Sequence, residues 1–184
     1  MNDLLQFEHL RGINNISHGI SNRHSEQDQS FDVQANQVHG NDYAWVDDAS
    51  ITLVENVDAL LTRTSGIKLR VGVHDCVPII VYDVVAHAGG VIHAGFRGTV
   101  SEILKVVLQE FDTVNTYVGI GPAIGACCYE DIDIKQENYM QAIESGVPMQ
   151  NIEIMNICTK CNVDTYYSHR AGDNTNFGIY LELS

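Results

Sequence analysis

Two apolar runs of strand length, residues 69–73 and 78–82, flank a short polar turn, His74-Asp75-Cys76-Val77, and this arrangement limits the fold more than any other feature of the chain. The second run, Pro78-Ile79-Ile80-Val81-Tyr82, is rich in branched side chains and predicts a buried strand. Gly89-Gly90-Val91-Ile92-His93 is a third strand candidate, residues 116–120 a fourth, and residues 166–183 read as one or two more. Val100, Ile103, Leu104, Val107, Leu108 and Phe111 recur at helical spacing, and Thr99 with Glu102 forms a capping-box pattern at the start of that helix. Residues 132–145 predict a second helix, ended by Gly146 and Pro148. Residues 51–61 are apolar but alternate poorly, and residues 21–32 are polar and read as an exposed loop. Strands with few helices between them point to a layered, mixed α/β domain rather than a regular βαβ array. A single domain over residues 1–184 fits the length of 184 residues.

Composition narrows the function classes. Hydrophobic residues at 45% and charged residues at 18% are ordinary for a globular chain. A net charge of −14 argues against nucleic acid and anionic lipid as partners, because such a surface repels polyanions. Residues 1–10 have neither a basic start nor an apolar core, so they do not read as a signal peptide. No apolar run approaches the roughly 18 residues of a membrane helix. Five cysteines, an odd number, fit free thiols in a reducing compartment, and the expected location is the cytoplasm.

Three residues stand out as ligands. His39 lies in a loop, in Gln37-Val38-His39-Gly40. Cys76 follows an acid at a strand mouth, where an inert cysteine is less often found. His93 ends a strand and opens Ala94-Gly95-Phe96-Arg97-Gly98-Thr99. Two imidazoles and one thiolate satisfy zinc while leaving its fourth position open, the catalytic rather than the structural arrangement. Asp75 is the candidate to orient a ligand or take part in the chemistry. Glycines on either side of Arg97, at a helix start, allow close approach to an anion.

Two further motifs read as decoys. Cys158-Thr159-Lys160-Cys161 is a CxxC without a second knuckle in the sequence, so a structural metal is not expected there. Gly119-Ile120-Gly121-Pro122-Ala123-Ile124-Gly125 breaks the GxGxxG pattern and reads as a tight turn lining a pocket.

Taken in order, Gln37-Val38-His39-Gly40, Val57-Asp58-Ala59-Leu60-Leu61-Thr62, Asp75-Cys76-Val77-Pro78, His93-Ala94-Gly95-Phe96-Arg97-Gly98-Thr99 and Gly121-Pro122-Ala123-Ile124-Gly125-Ala126-Cys127-Cys128-Tyr129-Glu130 resemble the motifs of the laccase-domain family. That family is also called the multicopper polyphenol oxidoreductase family, with members assigned as purine nucleoside phosphorylases. Tyr167-Ser168-His169-Arg170 and Ser17-His18-Gly19-Ile20-Ser21-Asn22-Arg23 are similar to its C-terminal and N-terminal elements. The resemblance implies a layered α/β/β/α sandwich with mixed sheets and a metal held by His39, Cys76 and His93. It further implies phosphorolysis of adenosine, inosine and methylthioadenosine, with adenosine deamination. The chain departs from the pattern at Phe96, where tryptophan is usual, at His74 for alanine and at Asn176 for arginine. It is also shorter than the family between Arg23 and Gln37.

The leading expectation is therefore a zinc-dependent purine nucleoside enzyme, with copper the alternative metal. Its partners are a purine nucleoside and phosphate, bound with the help of Arg97, Arg23, Gln37 and Arg170. Three other readings use the same residues: a copper-dependent polyphenol oxidase, a cysteine hydrolase with Cys76 as nucleophile, and a non-catalytic metal-binding module.

Overall fold

The structure is a computed structural model that describes residues 4–25, 30–129 and 132–184. In chain order its strands are β1 (Ile16–Ile20), β2 (Val33–Asn36), β3 (Tyr43–Trp45), β4 (Leu53–Glu55), β5 (Ala59–Thr62), β6 (Lys68–Val73), β7 (Val77–Asp83), β8 (Ala88–Ala94), β9 (Thr116–Ile120), β10 (Ile152–Ile154) and β11 (Phe177–Leu183). Its α-helices are α1 (Glu8–Arg11), α2 (Phe96–Val100), α3 (Ile103–Leu108) and α4 (Ile134–Glu144). The strands make two mixed sheets, ordered β1-β11-β6-β2-β4 and β10-β9-β7-β8-β5-β3.

The apolar run in β7 is continuous because the strand is covered on both faces. Ile80 and Tyr82 join Leu69, Val71, Ile179 and Leu181 in the core between the sheets. Val77, Ile79 and Val81 face the other way, onto Ile103, Leu104, Val107 and Leu108 of α3 and Ile134 and Ala142 of α4. A strand sandwiched between a sheet and a helical layer has no polar face to show, so its sequence does not alternate. The single turn of α1 contributes Leu10 to the inter-sheet core. The expected layered α/β sandwich with mixed sheets, in one domain, is the architecture found.

The polar turn after Val73 joins the two sheets and is not a hairpin. β6 belongs to the first sheet and β7 to the second, so the chain crosses from layer to layer at residues 74–76. Asp75 takes a left-handed backbone (φ 85) to make that crossing. Cys76, one of the candidate ligands, therefore sits at the crossing between the two sheets.

One expectation fails in detail. The single helix capped by Thr99 and Glu102 is split into α2 and α3, because Glu102 is itself left-handed (φ 58). The Thr99 hydroxyl is drawn instead to the buried Asn138, whose Nδ2 donates to it at 2.9 Å, so it does not cap. At the C-terminus, where one or two strands were expected, one forms, β11, after a 3-10 turn at His169–Ala171. In the segment 21–32, residues 26–29 lie outside the described residues, and Ser21 is buried, its hydroxyl exchanging hydrogen bonds with Gly178. By contrast α4 starts and stops as its sequence predicts. Asp133 accepts from the Gln136 amide at 3.1 Å, and Gly146 (φ 93) closes the C-terminal end.

Candidate metal centre and substrate cavity

His39, Cys76 and His93 come together although they stand far apart in sequence. A donor atom from each lies within 4.8 Å of the other two. His93 sits near the end of β8, opposite Pro78 of β7, and is buried. Cys76 is half-buried at the sheet-to-sheet turn, and His39 is exposed in the loop after β2. The two imidazoles meet edge to face, with centroids 4.7 Å apart. Gly95 leaves the centre open on one side: a Cβ there would fall 3.1 Å from both Cys76 Sγ and His39 Cδ2.

Asp58, which the sequence reading left without a role, organises both histidines. Its carboxylate is fully buried, and Oδ1 lies 2.7 Å from His93 Nδ1. The same carboxylate accepts from the backbone N–H groups of Val38, His39 and Gly40, at 3.2, 2.9 and 2.7 Å. One acid thus aims His93 through its ring and holds His39 through its main chain, which is left-handed there (φ 62). With Nδ1 engaged, His93 presents Nε2 to the centre.

Electrostatics favour the thiolate. Burial pushes the Cys76 thiol up, but hydrogen bonding to His39 and His93 outweighs it and brings the group down to about 6. Burial pushes His93 down, yet the Asp58 carboxylate and Cys76 carry it up to about 9. Asp58 is held below the usual carboxylate range: its burial is opposed by His93 and the Gly40 amide. Two nitrogens and a thiolate converging on one point, with a carboxylate behind one imidazole, are a donor set that fits zinc. His39, Cys76 and His93 would hold the ion, and all three line one cavity.

That cavity has a volume of about 540 Å³, within the range of small-molecule sites. All three metal-site residues line it, together with Gln34, Asn36, Gln37, His74, Asp75, Phe96, Tyr129, His169, Arg170 and Asn176 among others. Phe96 and Tyr129 meet edge to face with centroids 6.2 Å apart, and the Arg170 guanidinium lies 4.7 Å over the Tyr129 ring. Ile124, from the glycine-rich turn, lines the cavity as that turn was expected to.

The other expected site residues are placed as follows. Asp75, next to Cys76, directs its carboxylate to the C-terminal segment. Its oxygens accept from Thr159 Oγ1 at 2.6 Å, Ser168 Oγ at 3.0 Å and the Arg170 amide at 2.8 Å, so it ties the C-terminal segment to the turn that carries Cys76. Gln37 lines the cavity, but its amide exchanges two hydrogen bonds with the backbone of Gly72. Arg23 is ion-paired to Asp173 at 2.6 Å and stacked on Tyr167, away from the cavity wall. Arg97 is exposed, donates to the Val38 carbonyl at 3.2 Å and does not line the cavity. Arg170 lines it directly. His74 and His169, which stand in quoted motifs but were given no role, meet edge to face in the wall with ring centroids 5.4 Å apart. Their spacing in sequence carries no signal of that meeting.

Comparison with known proteins identifies the fold and the family. The purine nucleoside phosphorylase YlmD of Geobacillus stearothermophilus is 32% identical over 78% of this chain and 68% of its own length. A purine nucleoside phosphorylase of Bacteroides thetaiotaomicron is 31% identical over 73% of this chain and 66% of its own length. The adenosine deaminase RL5, from an unknown prokaryotic organism, is 32% identical over 69% of this chain and 63% of its own length. The chain therefore spans about two thirds of the length of these relatives. The crystal structure of Geobacillus stearothermophilus YlmD superposes with a TM-score of 0.84, covering 100% of this chain and 99% of that one at 23% identity. That of Bacillus licheniformis YfiH gives 0.83 over 92% and 93%, at 21% identity, and both establish the fold. The family described as multi-copper polyphenol oxidoreductase laccase matches residues 20–131 and 130–183, and this chain belongs to that family.

Proposed function

We propose that the chain is a zinc-dependent purine nucleoside enzyme that cleaves adenosine, inosine or methylthioadenosine with phosphate and deaminates adenosine. One observation carries the reading. His39, Cys76 and His93 converge on a point in the wall of a nucleoside-sized cavity, with Asp58 fixing the ring of one and the backbone of another. The names of the relatives, purine nucleoside phosphorylase and adenosine deaminase, support the substrate class. Zinc held by His39, Cys76 and His93 would supply Lewis acidity there.

The side chains of the cavity do the rest. Phe96 and Tyr129 offer aromatic faces to a purine. Asn36, Gln34 and Asn176 supply amides for base and ribose hydroxyls. Arg170, positioned through its backbone by Asp75, offers a guanidinium to phosphate, and Arg97 lies further out, on the exposed side of the His39 loop. His74 and His169, both in the cavity wall, are the candidates to hand a proton to the leaving base. In this arrangement Arg170, rather than Arg97 or Arg23, is the principal phosphate ligand.

A second reading rests on the same atoms. Cys76, His93 and Asp58 also have the order of a nucleophile, a base and an orienting acid, with the thiol already brought down to about 6. His39 favours the metal. A hydrolase needs one histidine, whereas here a second is held in a left-handed backbone conformation aimed at the same point. A polyphenol oxidase needs several coppers, and among the described residues the histidine-containing donor cluster has three members.

Incubation with inosine or adenosine and phosphate separates these readings. The metal reading expects free base and ribose 1-phosphate, loss of both on chelation and recovery with zinc. Activity that survives chelation and is abolished by alkylation of Cys76 would establish the thiol nucleophile instead.

A further inference from the structure

The four remaining cysteines meet in one place. Cys158 and Cys161, which lack a second knuckle in the sequence, are joined by the adjacent pair Cys127 and Cys128, and the four sulfurs all lie within 4.8 Å of one another. Cys127 Sγ is 3.6 Å and Cys128 Sγ 3.5 Å from Cys161 Sγ, while the Gly125 amide donates to Cys158 Sγ at 3.2 Å. We propose that Cys127, Cys128, Cys158 and Cys161 form a second, structural metal site that binds one zinc ion as a tetrathiolate.

The distances decide between the uses of such a cluster. Thiolates around one zinc, at about 2.3 Å each, stand about 3.8 Å apart along a tetrahedral edge. Separations of 3.5 and 3.6 Å are close to that edge and well beyond the ~2.05 Å of a disulfide. A mutual reach of 4.8 Å leaves room for a single ion, not for a cluster whose thiolates attach to different irons. Four sulfurs with no further donor make a closed, structural site, unlike the open set at His39, Cys76 and His93.

The backbone around the cluster is built as two knuckles. Cys128 N–H donates to the Gly125 carbonyl at 2.9 Å, which turns the chain so that both adjacent thiols face inward. On the other side the 3-10 turn Lys160–Asn162 folds the CxxC, and Asn162 Nδ2 donates to the Cys158 carbonyl at 2.8 Å. The knuckles are paired by an isolated bridge between Ala123 and Cys158, with Thr159 N–H on the Ala123 carbonyl at 3.1 Å. The buried ammonium of Lys135 lies beside them, donating to the Ile157 carbonyl at 3.0 Å and sharing a small cavity with Cys127 and Cys158. A cation there offsets part of the excess negative charge of a tetrathiolate.

The site has a consequence for the cavity. Tyr129 follows Cys128, Ile124 precedes the first knuckle, and Thr159, next to Cys158, is hydrogen-bonded to Asp75. An ion at the four cysteines would fasten these wall segments to each other.

The test is metal content, independent of activity. Protein purified under reducing conditions without an affinity tag should contain about two zinc ions per chain, falling to about one in Cys158→Ser/Cys161→Ser and to about one in Cys76→Ala. Cobalt(II) titration of metal-depleted wild type should show two tight equivalents, one with the intense visible bands of a tetrahedral tetrathiolate. This second measurement holds even if the double variant misfolds. A single equivalent without the tetrathiolate spectrum would overturn the proposal.

Discussion

The carboxylate of Asp58 and the ring of His93 are locked together, Oδ1 to Nδ1 at 2.7 Å, with both side chains buried. Metal-ligating histidines depend on such a partner to fix tautomer and direction, and its loss typically costs 10–100-fold in metal affinity. Asp58→Asn should weaken metal binding at His39, Cys76 and His93 by about that factor. Competition with a chromophoric chelator measures it. An unchanged affinity would mean that Asp58 serves only the fold.

Gly95 offers a test that leaves every donor in place. Its backbone is extended (φ −76), so alanine adopts it without strain, yet the added Cβ would fall 3.1 Å from Cys76 Sγ and His39 Cδ2. Gly95→Ala should therefore reduce zinc affinity by about tenfold or more by crowding the donors, with the thermal transition of the metal-free protein little changed. Equal affinity in the two proteins would show that the donors converge elsewhere.

The phosphate site separates two arginines. Arg170 lines the cavity and Arg97 does not. Arg170→Ala should raise the KM for phosphate by about ten- to a hundredfold, consistent with loss of a charge-assisted contact of about 1.5–3 kcal/mol. Arg97→Ala should change it by less than about threefold. Phosphate saturation curves at fixed inosine read both, and the reverse order would return the anion site to the start of α2.

Much of this site was legible in the sequence because its chemistry is local. Cys76 and His93 stand at the mouths of apolar runs, readable from their neighbours, whereas His39, a loop histidine before glycine, gained a role only from the set of three and from the family resemblance. The roles of Asp58 and Asp75 were not, since both are decided by what lies 35 to 95 residues away: His93 for the first, Thr159, Ser168 and Arg170 for the second. The same limit applies to Cys127 and Cys128, whose adjacency does not look like a knuckle until β-bridge pairing sets them against Cys158 and Cys161. The fold follows this pattern. The doubly covered β7 reads directly from its unbroken apolar run, whereas the break between α2 and α3 lies at the left-handed backbone of Glu102, which the helical spacing around it does not announce.

Acid stability should depend on His18. The ring is buried, its Nε2 accepts from the Phe7 amide at 3.0 Å, and burial pushes it from its ordinary 6.5 to about 4. As pH falls, the unfolded chain takes up this proton near 6.5 while the folded chain resists until about 4, so stability is full above 6.5 and lost across that window. The loss is on the order of 3 kcal/mol. His18→Gln keeps an acceptor for Phe7 but removes the titration, and urea denaturation at stepped pH should show a flatter acid limb between 6.5 and 4 than in the wild type. Parallel limbs in the two proteins would assign the acid sensitivity to other groups.

The central claim is that the metal at His39, Cys76 and His93 drives purine nucleoside cleavage. Zinc titrated into metal-depleted protein, with inosine phosphorolysis followed at each addition, tests it most directly. The expected result is activity that rises in step with filling of the His39-Cys76-His93 site and is missing from Cys76→Ala at every zinc concentration. Full activity in the metal-depleted protein, or no phosphorolysis with that site filled, would contradict it.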